Sequence, residues 1–480
     1  MNAPALLRQQ AYIDGRWLDA ESKQSQTIHN PANGNLIGAV PVMGANETRD
    51  AIEAANLALS GWSRQTAKER AAKLRNWFDL IIQHQDDLAY LMTLEQGKPL
   101  AEARGEILYA ASYVEWFAEE AKRVYGDVIP SPQTGKKLLV LKQPIGVTAA
   151  ITPWNFPAAM ITRKVAPALA AGCTIVLKPA PQTPFSALAL ADLAERAGIP
   201  QGVFNVVTGD AVAIGGELTG NPTVRKLSFT GSTNVGRLLM AQCAHDIKKL
   251  SLELGGNAPF IVFEDADVDA AVEGALVSKY RNNGQTCVCA NRFYVHDNVY
   301  ESFAEKLKAA VEEFRVGDGL QGGVTLGPLI DASAVTKIQS HIADAVSKGA
   351  KVMTGGKIHP LGGTFFEPTI LMDVPHHALV AKEETFGPLA PLLRFRDEAE
   401  AVAHANDTEF GLAAYFYSRD LARIFRVAEA LEYGIVGINS GAISTEVAPF
   451  GGMKASGLGR EGSKYGIDEY VEIKYLSIGL

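Results

Sequence analysis

From Gln10 to Gly44, short apolar segments alternate with polar ones around Asp14-Gly15 and Asn33-Gly34, which predicts a small antiparallel opening of hairpins. From Ala45 to about Tyr125 the apolar period becomes helical. Asn46 is placed to cap a run from Glu47 to Ser60, and longer amphipathic stretches cover Asp79 to Met92 and Leu108 to Arg123. Between Gly146 and Phe263, apolar runs alternate with helical patterns. Strands are predicted at Val147 to Ile151, Thr174 to Lys178, Val203 to Val207, Lys226 to Phe229 and Lys249 to Leu252, a βαβ rhythm that implies a parallel sheet. A second α/β block runs from Asp267 to about Pro449, with strands at Phe293 to Val295, Ala414 to Tyr417 and Ile435 to Asn439. Lys137 to Lys142 and Tyr470 to Ile478 are strand-like and stand apart from both blocks. They are long enough to pair with each other or with another chain.

A chain of 480 residues suits two or three domains, and 47 % hydrophobic with 20 % charged residues is the composition of a folded globular protein. The net charge of −8 offers no broad positive field for a phosphate backbone, so nucleic acid is not an expected partner. The stretch Met1 to Arg16 lacks the charged and apolar regions of a targeting signal. The longest apolar-rich run, Val165 to Leu177, is shorter than the roughly 18 to 20 residues of a membrane span. A cytoplasmic protein without a membrane partner is expected. Four cysteines, at 173, 243, 287 and 289, form neither a disulfide framework nor a CxxC zinc pair, so no metal is expected.

Three segments carry candidate chemistry. Tyr280 to Cys289 is a polar, Gly-containing loop that presents Cys287, and a nucleophilic thiol needs the access and lowered pKa such a loop can give. A lone cysteine, however, more often serves as a small buried hydrophobe. Glu253 ends an apolar strand before Gly255-Gly256, where desolvation would raise its pKa towards that of a base, although many such acids are solvated turn residues. Asn155, in Thr152-Pro153-Trp154-Asn155-Phe156-Pro157, offers an amide donor to an oxyanion or to its own turn, and Pro157 is placed to begin a helix.

Taken in order, TPWNFP (152–157), VLKPA (176–180), FTGSTNVG (229–236), LELGGNAPFIV (252–262), NNGQTCVCANR (282–292), EETFGPLAP (383–391) and PFGGMKASGLGREGSKYG (449–466) resemble the aldehyde dehydrogenase superfamily over essentially the whole chain. The resemblance implies an α/β fold of two Rossmann-type domains with a small β oligomerisation arm. The dinucleotide-binding domain would comprise 1–121 and 145–255, the catalytic domain 256–463, and the arm 122–144 with 464–480. It makes Cys287 the nucleophile that forms a thiohemiacetal, Asn155 with the Cys287 N–H the oxyanion site, and Glu253 the base that activates water on the thioester. The arm would reach over a partner subunit in a homodimer or homotetramer.

For the cofactor, the resemblance implies NADP or NAD. Thr230, Gly231 and Ser232 through Gly236 close a strand and open a helix whose N–H groups can meet a pyrophosphate. Lys178 would reach the adenosine ribose, Glu384 with Phe386 behind it the nicotinamide ribose, and Trp154 and Leu254 would complete the contacts. Pro181 stands where many NAD-dependent members have a Glu and NADP-using semialdehyde dehydrogenases often a Ser. It can neither repel nor bind a 2′-phosphate, so Lys178 leans the choice slightly to NADP.

Within the superfamily the chain is most similar to bacterial succinate-semialdehyde and glutarate-semialdehyde dehydrogenases. Arg163, Arg281 and Ser444 would bind the far carboxylate of the substrate, consistent with the fit of a guanidinium fork to a carboxylate. Each arginine could instead pair with a neighbouring acid. The pathway would be 4-aminobutyrate breakdown or, for the longer substrate, that of lysine and 5-aminovalerate. Cys289, two residues after the nucleophile, is a redox candidate through a strained Cys287–Cys289 disulfide, or simple loop packing. A Cys/His hydrolase is disfavoured because none of the nine histidines has a catalytic context.

Overall fold

The computed structural model describes residues 5–480, so the part of the N-terminal reading that falls on residues 1–4 lies outside the described residues. β1 (Ala11–Ile13) and β2 (Arg16–Leu18) pair around Asp14 and Gly15, whose φ angles of 53° and 68° match the right-handed twist of the strands. β3 (Ser25–His29) and β4 (Leu36–Pro41) form the second hairpin. Four helices follow: α1 (Ala45–Ser63), α2 (Ala67–Gln83), α3 (Gln85–Gln96) and α4 (Leu100–Glu120). The cap of α1 is Gly44 rather than Asn46. The Glu47 carboxylate reaches back to accept from the Gly44 N–H at 2.9 Å, so the helix begins one residue before the predicted cap. The stretch Asp79 to Met92 is two helices, because His84 leaves the helical region between them.

The strand arm begins with β5 (Asp127–Ile129) and β6 (Lys136–Pro144). The first α/β block is β7 (Val147–Ile151), α5 (Ala159–Ala171), β8 (Thr174–Lys178), α6 (Pro184–Arg196), β9 (Phe204–Val206), α7 (Ala211–Gly220), β10 (Val224–Thr230), α8 (Thr233–Cys243) and β11 (Lys249–Glu253). Its strands lie where the apolar runs predicted them. α5 starts at Ala159 rather than Pro157, and every one of its residues is buried. The second block contains β12 (Ala258–Val262), α9 (Val268–Tyr280), β13 (Ala290–His296), α10 (Tyr300–Glu312), α11 (Ala332–Ser347), β14 (Lys351–Thr354), β15 (Thr369–Met372), β16 (Leu389–Phe395), β17 (Ala413–Tyr417) and β18 (Ile435–Ile438). β19 (Gly457–Leu458) and β20 (Val471–Gly479) close the chain.

The first sheet has the order β19-β11-β10-β7-β8-β9-β1-β2 and the second β14-β15-β16-β13-β12-β17-β18. In the first, the chain leaves β7 for β8 and β9 on one side and returns to β10 and β11 on the other. The loops after β7 and β10 therefore diverge, and a crevice opens at the carboxyl ends of these neighbouring strands. β6 and β20 pair antiparallel along their whole length, from Val471↔Pro144 to Gly479↔Lys136, and β5 adds a third strand. The two strand-like segments thus pair with each other. Among the described residues no helix is long and apolar enough to cross a membrane, and no cluster of side chains could hold a metal ion.

Candidate active site

Cys287 stands on the loop between α9 and β13. Asn282, Asn283 and Gly284 follow one another in the left-handed region, which asparagine and glycine tolerate, and they turn the chain sharply after α9. Glycine is required at 284, since a Cβ there would lie 2.2 Å from the Gly387 carbonyl oxygen. Gly256 is equally constrained, because a Cβ would meet the Cys287 carbonyl oxygen at 2.5 Å. The Gly255-Gly256 turn after Glu253 therefore lets the first sheet's exit strand pass directly behind the thiol loop. Cys287 is partly exposed in the crevice, yet burial pushes its thiol up to about 12, with Arg163 and Arg281 offsetting only part of that effect. The lowered pKa expected of a loop cysteine is not found. The surrounding apolar wall outweighs the two arginines, and the thiol needs a base to ionise.

Asn155 follows β7 and is buried. Its Nδ2 donates to the Gln285 carbonyl at 3.1 Å, leaving one amide hydrogen uncommitted in the crevice. Glu253 ends β11 with both carboxylate oxygens buried and without a partner. Burial, followed by repulsion from Glu461, holds its carboxyl well above the usual range. Arg163, Lys164 and Arg460 pull the other way. This is the desolvated acid that the sequence predicted.

A crevice of about 250 Å³ joins Cys287, Asn155 and Glu253 to the cofactor candidates Trp154, Thr230, Gly231, Ser232, Leu254, Glu384 and Phe386. Ser232 caps α8 through Val235 N–H, so the helix opens beside the crevice wall. Thr230 Oγ1 is buried without a partner, and Glu384 accepts from Gly256 N–H at 3.1 Å while burial raises its carboxyl to about 7. The rings of Trp154 and Phe386 meet edge to face at 5.5 Å. A helix N-terminus, an orphaned hydroxyl, a carboxylate and an aromatic wall in one crevice fit the phosphates, ribose and ring of a dinucleotide.

Three cofactor candidates sit differently. Gly236 is a packing glycine: a Cβ would lie 2.4 Å from Leu254 Cδ2, so it lets α8 approach β11 and does not line the crevice. Lys178 ends β8 next to β7 but is nearly buried. Its Nζ donates to the Pro179 carbonyl at 3.1 Å, and desolvation lowers it to about 8 despite Asp210 nearby. Pro181 lines a separate polar cavity with Glu95 and Gln182, and its carbonyl accepts from Gln26. Lys337, on α11, lines the main crevice and went unpredicted because it lies in an ordinary amphipathic helix.

Beyond Cys287, a narrow cleft is lined by Arg163, Arg281 and Ser444 together with Tyr109, Phe156 and Phe450. Arg163 is fully buried, and the alternative of a neighbouring acid is realised. Its Nε pairs with Glu461, which also takes Lys164, while its Nη2 remains buried without a partner. Its guanidinium carbon lies 4.0 Å from the Phe450 ring centroid. Arg281 has no ion-pair partner among the described residues and lies 5.1 Å from the Phe156 ring. Cys289 is wholly buried, 3.4 Å from Lys279 Nζ, and all four cysteines are free thiols. Glu461 was missed although it sits in the quoted Gly-rich segment; a carboxylate amid turn glycines was the available signal.

The sequence profile of the aldehyde dehydrogenase family matches residues 17–476. The chain belongs to the aldehyde dehydrogenase family. It is 74 % identical to a glutarate-semialdehyde dehydrogenase of Pseudomonas aeruginosa, over 99 % of this chain and 98 % of that one. It is 72 % identical to the NADP(+) succinate-semialdehyde dehydrogenase GabD of Escherichia coli, over the full length of both. The crystal structure of a succinate-semialdehyde dehydrogenase from Burkholderia pseudomallei superposes with a TM-score of 0.99 at 68 % identity, covering both chains completely. The expected aldehyde dehydrogenase fold is therefore present, and the enzyme acts on small aldehydes as a nicotinamide-dependent oxidoreductase.

Proposed function

We propose that this aldehyde dehydrogenase oxidises succinate semialdehyde to succinate, with NADP preferred to NAD. The observation that carries the substrate is the position of Arg281, Ser444 and the orphaned Nη2 of Arg163 on one side of Cys287, opposite the dinucleotide crevice. Cys287 lines the same cleft as these donors, which suits a short chain carrying a carboxylate at its far end. The NADP preference is supported by the GabD relative and by the absence of a carboxylate at Pro181.

In the reaction, the Cys287 sulfur adds to the aldehyde carbon, and its proton passes to a base for which buried Glu253 has the required affinity. Asn155 Nδ2 and the Cys287 N–H hold the oxyanion of the thiohemiacetal. A nicotinamide bound in the crevice would supply the hydride acceptor, so that the substrate carbon remains on Cys287 as a thioester. Glu253, having released the thiol's proton to solvent, takes a second proton from water as the water attacks the thioester, and this proton returns to the Cys287 sulfur as the C–S bond breaks and the acid departs. Thr230 to Ser232, Leu254, Glu384 and the Trp154–Phe386 pair would hold the dinucleotide, and Lys178 would serve its adenosine end.

Glutarate semialdehyde is the second reading, favoured by the Pseudomonas relative; one methylene discriminates by only about 1 to 3 kcal/mol. The domain division proposed from the sequence stands as our reading, as does assembly of cytoplasmic homodimers or homotetramers through the strand arm. Ile473 and Tyr475, exposed by 70 % and 57 %, stand on one face of that arm and offer it apolar contacts for a second copy. Initial rates with succinate semialdehyde, glutarate semialdehyde and butyraldehyde, each with NAD and NADP and with Cys287→Ala as blank, test the substrate. The ω-carboxylates should exceed butyraldehyde in kcat/KM by about a hundredfold, roughly 2.7 kcal/mol. Equal rates would refute the carboxylate pocket.

A further inference from the structure

Behind Asn155 lies a buried polar cluster that no step above uses. α3 ends at Gln96, and the chain turns through Gly97, at φ 93°, to place Lys98 inside the protein at 2 % exposure. Lys98 Nζ donates to the Glu106 carboxylate and, at 2.8 Å, to the backbone carbonyl of Asn155, and it lies 4.0 Å from the Phe156 ring centroid. Glu106 Oε1 in turn accepts from the N–H groups of Ala158 and Ala159 at 3.0 and 3.3 Å, at the start of α5. From the other side, Asn282 Nδ2 donates to the same Asn155 carbonyl at 2.9 Å, while its Oδ1 accepts from Gln96 Nε2. Residues 155–159 are thus clamped at both ends by one buried ion pair. Burying such a pair is a poor way to gain stability, since desolvation offsets most of the attraction. Its geometry fixes the backbone from which the Asn155 amide projects.

We propose that Lys98 and Glu106 are positioning residues that hold the Asn155 amide in register with the oxyanion formed at Cys287. The inference rests on the oxyanion role of Asn155 proposed above. A displacement of about 1 Å in such a donor is enough to cost on the order of a hundredfold in rate.

Hydrolysis of p-nitrophenyl acetate by the full-length enzyme tests this without nicotinamide, because acyl transfer to Cys287 passes through the same oxyanion. Four proteins are compared: parent, Lys98→Met, Asn155→Ala and the double variant. Alkylation of Cys287 by iodoacetamide, which forms no oxyanion, serves as the second readout. Asn155→Ala should lower kcat/KM for the ester about a hundredfold. Lys98→Met should lower it at least about tenfold, and the double variant should fall no more than about twofold below Asn155→Ala. Alkylation rates should agree within about twofold throughout. Additive losses, an unchanged ester rate in Lys98→Met, or alkylation slowed as much as ester turnover would each overturn the inference. An unchanged rate in Asn155→Ala would instead overturn the oxyanion role itself. If Lys98→Met fails to fold, Lys98→Met/Glu106→Gln removes both charges while keeping an oxygen for Ala158 and Ala159. The same criteria then apply to it.

Discussion

Replacing Arg281 by Met should strip the enzyme of its preference for a carboxylate-bearing substrate while leaving oxidation of an uncharged aldehyde nearly intact. Arg281 has no ion-pair partner among the described residues, and its guanidinium lies 5.1 Å from the Phe156 ring centroid. Its charge acts on buried Glu102 and on the Cys287 thiol only through space, so no ion pair has to be broken for it to meet the substrate. A hydrogen bond to a charged group contributes about 1.5 to 3 kcal/mol, which converts to roughly a 10- to 150-fold loss in kcat/KM. Methionine retains the apolar stem over Phe156, so the pocket wall is kept. The assay is the initial rate of nicotinamide reduction at 340 nm, with succinate semialdehyde and butyraldehyde compared on the same preparation. Butyraldehyde should fall much less than succinate semialdehyde, losing only what the Cys287 thiol loses when Arg281 no longer offsets its burial. Arg163→Met provides the contrast. It leaves Glu461 buried against Lys164 alone, with Glu253 nearby, so both substrates should fall together. If Arg281→Met lowers the two substrates equally, or neither, the assignment of Arg281 to the substrate carboxylate is wrong.

Three further outcomes follow from the site. Lys178 is lowered to about 8 by burial, so it loses its charge as pH rises through 8; KM for NADP should climb across pH 7 to 9 more steeply than KM for NAD, and parallel profiles would remove Lys178 from the phosphate end. In Gly236→Val the new side chain collides with Leu254, and overpacking of about 1 to 3 kcal/mol should push α8 aside and weaken dinucleotide binding, read by fluorescence titration with native circular dichroism retained. Glu253 has a raised pKa in the folded state, so the native protein holds its proton more tightly than the unfolded chain does. The stability this gives is present at acid pH and lost as pH rises from near 4.5 through the folded value. Glu253→Gln should therefore melt at a higher temperature than the parent at pH 8, and the two should converge towards pH 4.5; a variant less stable at pH 8 would contradict the buried, unpartnered carboxylate.

Much of the architecture is local in origin and was legible for that reason. Apolar runs such as Val147–Ile151 and Thr174–Lys178 have no other good conformation than a buried strand, and they lie where the pattern put them. Asp14-Gly15 encodes its own turn. Boundaries governed by reach-back contacts were less legible: Glu47 moved the cap of α1 to Gly44, and Glu106 caps the segment before α5 from 52 residues away. Cys287, Glu253 and Asn155 stood out as candidates because each sits in a distinctive segment. What surrounds them was not.

The sequence alone determined the family, the strand and helix rhythm, and the residue types offered to the chemistry, all of which depend on neighbours a few positions apart. Only the tertiary structure decided how those residues behave. Glu461 meets Arg163 and Lys164 across 298 and 297 positions, and Lys98 meets Asn155 across 57. The Cys287 thiol is held up, not down, by an apolar wall assembled from both blocks, and Gly236 serves the approach of Leu254 and not a phosphate. Desolvation and charge pairing depend on distance in space, and sequence separation carries almost none of that information until the chain has folded.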